Sequence, residues 1–197
     1  MKSVLITRRE STFELNLADV FIREGYNVID PESGEPVDEI DIYIDVSDER
    51  DDADDFAIRD GLDEEVIKRV YEANVVNSMK LLETYLPRLD AGTGKRLCFL
   101  TAAEASINET RDTSGYAYKL SKAAMHNFYQ MIANRLTPSG YTMRIYDPMH
   151  GEIDAALSAE SAFKYFTRRR GTENNDRIRD DETRWVFRDA LGREHAW

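Results

Sequence analysis

KRLCFLTAAEASINETRDTSGYAYKLSKAAMHNFYQMIANRLTPSGYTMRIYDP occupies residues 95–148. Two short apolar runs, KRLCFLTA (95–102) and YTMRIYDP (141–148), flank the amphipathic stretch YKLSKAAMHNFYQMIANRL (118–136), which is closed by Pro138 and Gly140. The reading is strand, long helix, strand, which makes the two strands parallel neighbours joined by a crossover. The same alternation runs outward to both ends. SVLIT (3–7) reads as a buried strand. STFELNLADVFIREGY follows as a helix with Phe13, Leu17, Val20 and Phe21 on one face, Ser11 or Thr12 as N-cap and Gly25 as stop. NVID (27–30) and DIYIDV (41–46) read as strands around the turn PESGEP, DEEVIKRVYEANVVNSMKLLETYLPRL (63–89) as a helix ending near Pro87, and RWVFRD (184–189) as the last strand. The expected fold is α/β, a doubly wound, mostly parallel sheet covered on both faces. Ligands in such sheets lie beyond the carboxyl ends of the strands, which directs attention to 7–14, 30, 45–48, 101–106 and 147–154.

Composition bounds the function. The chain has 197 residues and a net charge of −12, with 26 Lys and Arg against 38 Asp and Glu. That length suits one domain over 1–197, and no repeat, low-complexity tract or linker divides it. A pI near 4.8 argues against a nucleic-acid partner, because phosphate binding needs a basic face. No apolar run approaches the roughly 18 residues of a membrane span. In MKSVLITRREST charge follows a short apolar run at once, unlike a secretory leader, and the cytoplasm is the expected address. A single cysteine, Cys98, excludes an internal disulfide and a multi-cysteine metal site. From Asp41 to Glu65 twelve acids stand against Arg50 and Arg59. Such a run reads as a solvated loop or acidic first helical turns, and it lacks the glycine and ligand spacing of a calcium loop, so no metal is expected.

Tyr118 and Lys122 are four apart and share one helix face. A phenol with pKa about 10 is a poor acid or base at neutral pH, and a lysine cation one turn away is expected to lower it. Tyr118-x-x-Ser121-Lys122-Ala123-Ala124 before the strand GYTMRIYDP resembles the YxxSKxA segment of the short-chain dehydrogenases/reductases. The resemblance reaches upstream, where Asn74 lies thirteen residues before Pro87, and downstream to WVFRDALGREHAW, similar to the family's last strand and tail. It covers most of the chain, most strongly 70–148, and implies a Rossmann-like fold. It implies Tyr118 as acid/base, Lys122 as its activator and a ligand of the cofactor ribose, and Asn74 in a proton relay. The substrate-orienting hydroxyl falls to Ser106, ahead of Thr101.

The departures from that pattern are as informative. The family's TGxxxGxG turn reads here Thr7-Arg8-Arg9-Glu10-Ser11-Thr12-Phe13-Glu14, with Arg8, Thr12 and Glu14 at the glycine positions. Side chains there crowd the space of a pyrophosphate, and Glu14 would face it with like charge. Thr7, Arg8 and Arg9 remain the residues able to meet a phosphate, and Asp30, ending a strand, the one able to take a ribose hydroxyl. Asp45-Val46-Ser47-Asp48 replaces the family's NNAG, and Pro148-Met149-His150-Gly151 its PG turn. Ten residues between Asp30 and Asp41 cannot hold the helix, strand and helix the family places there, so the fold is expected to be one strand–helix unit short.

The remaining candidates are weaker. His126 reads as packed or solvated, His150 as the histidine nearest the cleft, and His195 as part of the tail. Arg168, Arg169, Arg170, Arg177 and Arg179 fall in 150–183, where the resemblance places a substrate-covering segment. Met79, Met125 and Met131 lie on the two long helices, which in the family build a dimer, so a homodimer or higher assembly through them is expected beside a small-molecule ligand. Two function classes follow: a divergent oxidoreductase of carbonyls and alcohols using NAD or NADP, or a non-redox protein. The latter would be a ligand- or partner-binding relative without catalysis, or an enzyme using Tyr–Lys for proton transfer alone.

Overall fold

The computed structural model describes residues 1–34, 36–59, 61–168, 181 and 186–196. Strands β1 (Ser3–Ile6), β2 (Asn27–Ile29), β3 (Ile42–Asp45), β4 (Arg96–Leu100), β5 (Thr142–Asp147), β6 (Phe187–Asp189) and β7 (Glu194–His195) form one sheet in the order β2-β1-β3-β4-β5-β6-β7. All pairs are parallel except β6–β7. Helices α1 (Thr12–Arg23) and α5 (Ala155–Thr167) cover one face; α2 (Glu64–Tyr71), α3 (Asn77–Ala91) and α4 (Tyr116–Leu136) cover the other. Alternation along β1 shows why both faces must be covered. Val4 and Ile6 pack with Phe13, Leu17 and Phe166, while Leu5 packs on the opposite face among Leu82, Leu89 and Tyr129.

This is the doubly wound α/β architecture read from the sequence, and its length deficit falls at one edge. Two complete nucleotide-binding halves give the strand order 3-2-1-4-5-6. Here β2 is the edge strand, and among the described residues 30–41 carry neither helix nor strand. The order reverses between β1 and β3, so a crevice opens beyond their carboxyl ends.

Several boundaries moved. The long helix does not end near Pro87 but runs to Ala91. Pro87 removes only its own N–H, and the following turn closes with Gly92 N–H on the Arg88 carbonyl at 3.1 Å. The stop is set at Gly92 by the approach of the neighbouring chain, since a Cβ there would lie 2.0 Å from the Ile40 carbonyl oxygen. Between α2 and α3 the helix widens into a π turn over Glu72–Val76. Helix α4 starts at Tyr116, two residues early, because Gly115 takes a left-handed φ of 73° and Asp54 caps the Ala117 and Tyr118 N–H groups at 3.0 and 2.8 Å. Helix α5 lies inside the 150–183 segment and buries Ala159, Ala162 and Phe166 against α1. Its start is legible afterwards in Asp154, whose carboxylate accepts from the Ala156 and Leu157 N–H groups. Arg169, Arg170, Arg177, Arg179, Trp185 and Trp197 lie outside the described residues. Among the described residues no helix is long and apolar enough to cross a membrane.

The C-terminal hairpin is tied back to the loop after β4. His195 sits between Asp189 at 3.0 Å and Glu109 at 2.9 Å, stacks on Phe187, and the Ala196 N–H reaches Glu109 at 3.0 Å.

His126 is packed on α4 beside Phe187, hydrogen bonded to the Thr101 hydroxyl. Burial, with Lys122 nearby, pushes its pKa down to about 4. The unfolded ring titrates near 6.5, so the unfolded chain binds more protons below that pH. His126 therefore contributes stability that is complete above pH about 6.5 and is lost as pH falls toward 4. Urea denaturation at pH 7 and 4.5 should show about 2–3 kcal/mol more pH-linked loss in the native protein than in His126→Gln.

Candidate functional site

The ends of β1, β3, β4 and β5 open on one side of the sheet, and α4 brings Tyr118 and Lys122 to it. Between them lies Asp48, from the loop after β3. The Tyr118 hydroxyl donates to Asp48 Oδ1 at 2.6 Å, and Lys122 Nζ lies 3.0 Å from the same oxygen. Lys122 is 1% exposed and also donates to the carbonyls of Ser47 and Leu100, so its three N–H donors are all engaged. His150 Nε2 stands 3.6 Å from the other Asp48 oxygen, and the Arg50 guanidinium lies over the Tyr118 ring, 3.8 Å from its centroid. A cleft of about 40 Å³ lies among Asp48, Thr101, Tyr118, Asp147 and His150. Small-molecule pockets usually run to about 300–1,000 Å³.

The electrostatics correct the expectation that Lys122 lowers the Tyr118 pKa. Burial and the Asp48 charge push the phenol well above its ordinary 10, and Arg50 only partly opposes them. The lysine charge acts first on the carboxylate between the two. Burial pushes Asp48 up, but Lys122, the Tyr118 hydroxyl and Arg50 hold it below the usual carboxylate range. The resting state is thus a protonated phenol hydrogen bonded to an ionised carboxylate. Asp147 is raised by burial while accepting from the Ala103 and Met149 N–H groups at 2.7 and 2.8 Å.

Asn74, fully buried in the π turn, holds the Asp48 loop from the other side. Its Oδ1 accepts from the Glu49 N–H at 2.7 Å, and its Nδ2 donates to the Glu49 carbonyl at 2.9 Å and to Ser121 Oγ at 3.0 Å. Ser121 in turn donates to the Tyr118 carbonyl at 2.7 Å. Asn74, Ser121, Tyr118 and Lys122 are therefore brought together. Ser106 is buried and caps a turn, accepting from the Glu109 N–H at 3.2 Å; Thr101 is the hydroxyl that lines the cleft. The sequence reading missed Asp48 as the centre of the group, although it flagged the replaced NNAG turn that carries it.

The first turn is filled by its own side chains. Ser11 and Glu14 form a capping box at the start of α1. Glu14 is buried, and its Oε2 accepts from the Glu10 N–H at 2.7 Å and the Ser11 N–H at 3.0 Å. Arg8 pairs with Glu14 at 3.1 Å and lies 3.6 Å from Glu49. Arg9 pairs with Asp30, whose other oxygen accepts from the Glu32 N–H. Thr7, Arg8, Arg9 and Asp30 line one cleft of about 260 Å³, and the Thr7 hydroxyl accepts from the Val46 N–H.

The resemblance implies a dinucleotide with its phosphates at this helix start and its ribose at Lys122. Here Glu14 takes two N–H groups and Arg8, and Asp48 takes the Tyr118 hydroxyl and shares Lys122. Among the described residues no group of three or more His, Cys, Asp or Glu is arranged to hold a metal ion.

No family model matches the sequence. Among curated proteins, C-signal of Myxococcus xanthus is 26% identical over 80 residues, covering 41% of this chain. That match spans 48%, about half, of the relative's length. Among solved structures, the carbonyl reductase Sniffer of D. melanogaster superposes with a TM-score of 0.78 at 14% identity, covering 100% of both chains. A carbonyl reductase from Pseudomonas aeruginosa PAO1 in complex with NADP superposes with 0.68 at 15% identity, also over 100% of both. A Brucella ovis oxidoreductase of the short-chain dehydrogenase/reductase family with partially ordered NAD gives 0.66 at 16% identity, over 85% of this chain and 93% of that one. The fold of this chain is that of the short-chain dehydrogenases/reductases.

The central pair yields a stability test. Lys122→Met leaves Asp48, 11% exposed, without its nearest cation and should cost up to about 3–5 kcal/mol in chemical denaturation. Adding Asp48→Asn to that variant should recover much of the loss, since the uncompensated charge is then gone.

Proposed function

We propose that this protein uses the short-chain dehydrogenase/reductase fold for non-redox binding of a small-molecule ligand or a protein partner, rather than for hydride transfer from a nicotinamide. One observation carries the reading: the Asp48 carboxylate occupies the donors of Tyr118 and Lys122 that a cofactor ribose and a substrate oxygen would need. The narrow cleft beside them argues against a nicotinamide there and equally sends any other ligand or partner to a wider part of the surface. We place the protein in the cytoplasm, where its single buried thiol, Cys98, would stay reduced.

A second reading keeps the oxidoreductase. It is favoured by the convergence of Tyr118, Lys122 and Asn74 on one site and by the NADP and NAD held by other proteins of this fold. Calorimetry with NADH and NADPH separates the two. The binding reading expects no saturable signal at about millimolar cofactor and no carbonyl reduction, a regime in which any affinity is weaker than about 4 kcal/mol. Micromolar cofactor binding with turnover abolished by Tyr118→Phe would establish the oxidoreductase instead.

For partners, we propose a second copy of this chain seated on α3 and α4. A groove of about 960 Å³ runs between these helices, and Met79 and Met131 are exposed along it. Sedimentation should report a dimer that Met131→Glu converts to monomer, because a buried unpaired carboxylate opposes the contact. A monomeric native protein would remove this part of the proposal.

A further inference from the structure

We infer that Glu14 supplies, from within the chain, the anion that the start of α1 is built to hold, so that this turn admits no pyrophosphate. The inference rests on the non-redox reading and gives it a cause at the other half of the cofactor region.

A helix start in a doubly wound sheet attracts negative charge through its free N–H groups and its dipole. In this turn the charge is already present. Both oxygens of Glu14 are used: Oε2 takes the Glu10 and Ser11 N–H groups, and Oε1 takes Nε and Nη2 of Arg8 at 3.3 and 3.1 Å. Burial alone would raise the Glu14 pKa, yet those N–H groups and Arg8 hold it below the usual carboxylate range. The side chain is therefore ionised and satisfied where it lies.

The surrounding charges close the argument. Arg8 faces Glu14, Glu49 and Glu10, while Arg9 is paired with Asp30. Two arginines thus meet four carboxylates, and an incoming pyrophosphate would add like charge to a cluster already net negative. To take these four donors, it would have to expel a buried carboxylate from them. The ordinary remedy, a glycine turn with no side chain in the space, is absent, since Arg8, Thr12 and Glu14 all carry a Cβ.

The test is calorimetry of the full chain with inorganic pyrophosphate and, separately, NADPH, in the native protein, Glu14→Gln and Glu14→Ala. Native protein should give no saturable heat with pyrophosphate at about millimolar concentration. Glu14→Ala, which frees the N–H groups and Arg8, should bind it at least roughly tenfold more tightly, with the isosteric Glu14→Gln between the two. Arg8→Ala added to Glu14→Ala should abolish the gain. Circular dichroism establishes that each variant is folded, and Glu14→Gln carries the test if the alanine variant is not. Micromolar pyrophosphate binding by the native protein, or folded variants that bind no better than native, would overturn the inference while leaving the binding function standing. NADPH turnover by the native protein would instead remove the functional reading beneath it.

Discussion

A carboxylate buried at the end of a parallel sheet must be met by cation and donors, and the arrangement of this site follows from how Asp48 meets that demand. Lys122 compensates its charge and Tyr118 gives it a hydrogen bond. Neither partner can then be placed independently. Lys122 also holds the Ser47 carbonyl, Asn74 grips the Glu49 N–H and carbonyl, and the Arg50 guanidinium sits over the Tyr118 ring. With the Val46 N–H on the Thr7 hydroxyl, five consecutive residues of the loop, 46–50, are stitched to the turn after β1, the π turn and α4. The π turn has its use in this pattern, since Asn74 lies within it, aimed at both Glu49 and Ser121.

The chemistry available follows from the same contact. Two residues at helical spacing show only that a phenol and an ammonium share a face. Which group the ammonium stabilises depends on what lies between them, and here it is a third residue. With water as the intervening group, the lysine would favour phenolate; with a carboxylate it favours the carboxylate, and the phenol keeps its proton. The same two side chains therefore describe opposite proton inventories in two settings, and Asp48 decides between them.

The fold was legible because it depends on periodicity. The short apolar run of β1, apolar positions in α1 at helical spacing, and the shortage between Asp30 and Asp41 all survive as structure. The misreadings share a physical type. Pro87 suggested a helix end because its ring forbids one hydrogen bond, but the actual stop is a close backbone approach at Gly92 by Ile40, just before β3, which no local window contains. Helix α5 begins at the Asp154 cap, inside the segment where the resemblance implies a substrate cover. In the site, the residue types were visible and their pairings were not. Asp48 stood in a run of acids, and nothing in the run distinguishes the one that meets Lys122 from those facing water.

Read as twelve acids against two arginines, the acidic run is a solvated loop or the acidic first turns of a helix, and Glu64 and Glu65 do open α2. In the fold its members do separate work. Asp48 centres the site, Asp51 pairs with Arg69 of α2, Asp54 caps α4 from more than sixty residues away, and Asp63 caps α2. Asp54 matters most for the site, because the two N–H groups it holds belong to Ala117 and Tyr118 themselves. A carboxylate there stabilises the positive end of α4, fixes where that helix starts, and so fixes the height at which Tyr118 presents its hydroxyl to Asp48. One acid sets the position of the phenol and another, six residues earlier, sets its protonation. The negative charge of this stretch is therefore the means by which the loop after β3 and the helix of the Tyr–Lys motif are built as a single unit.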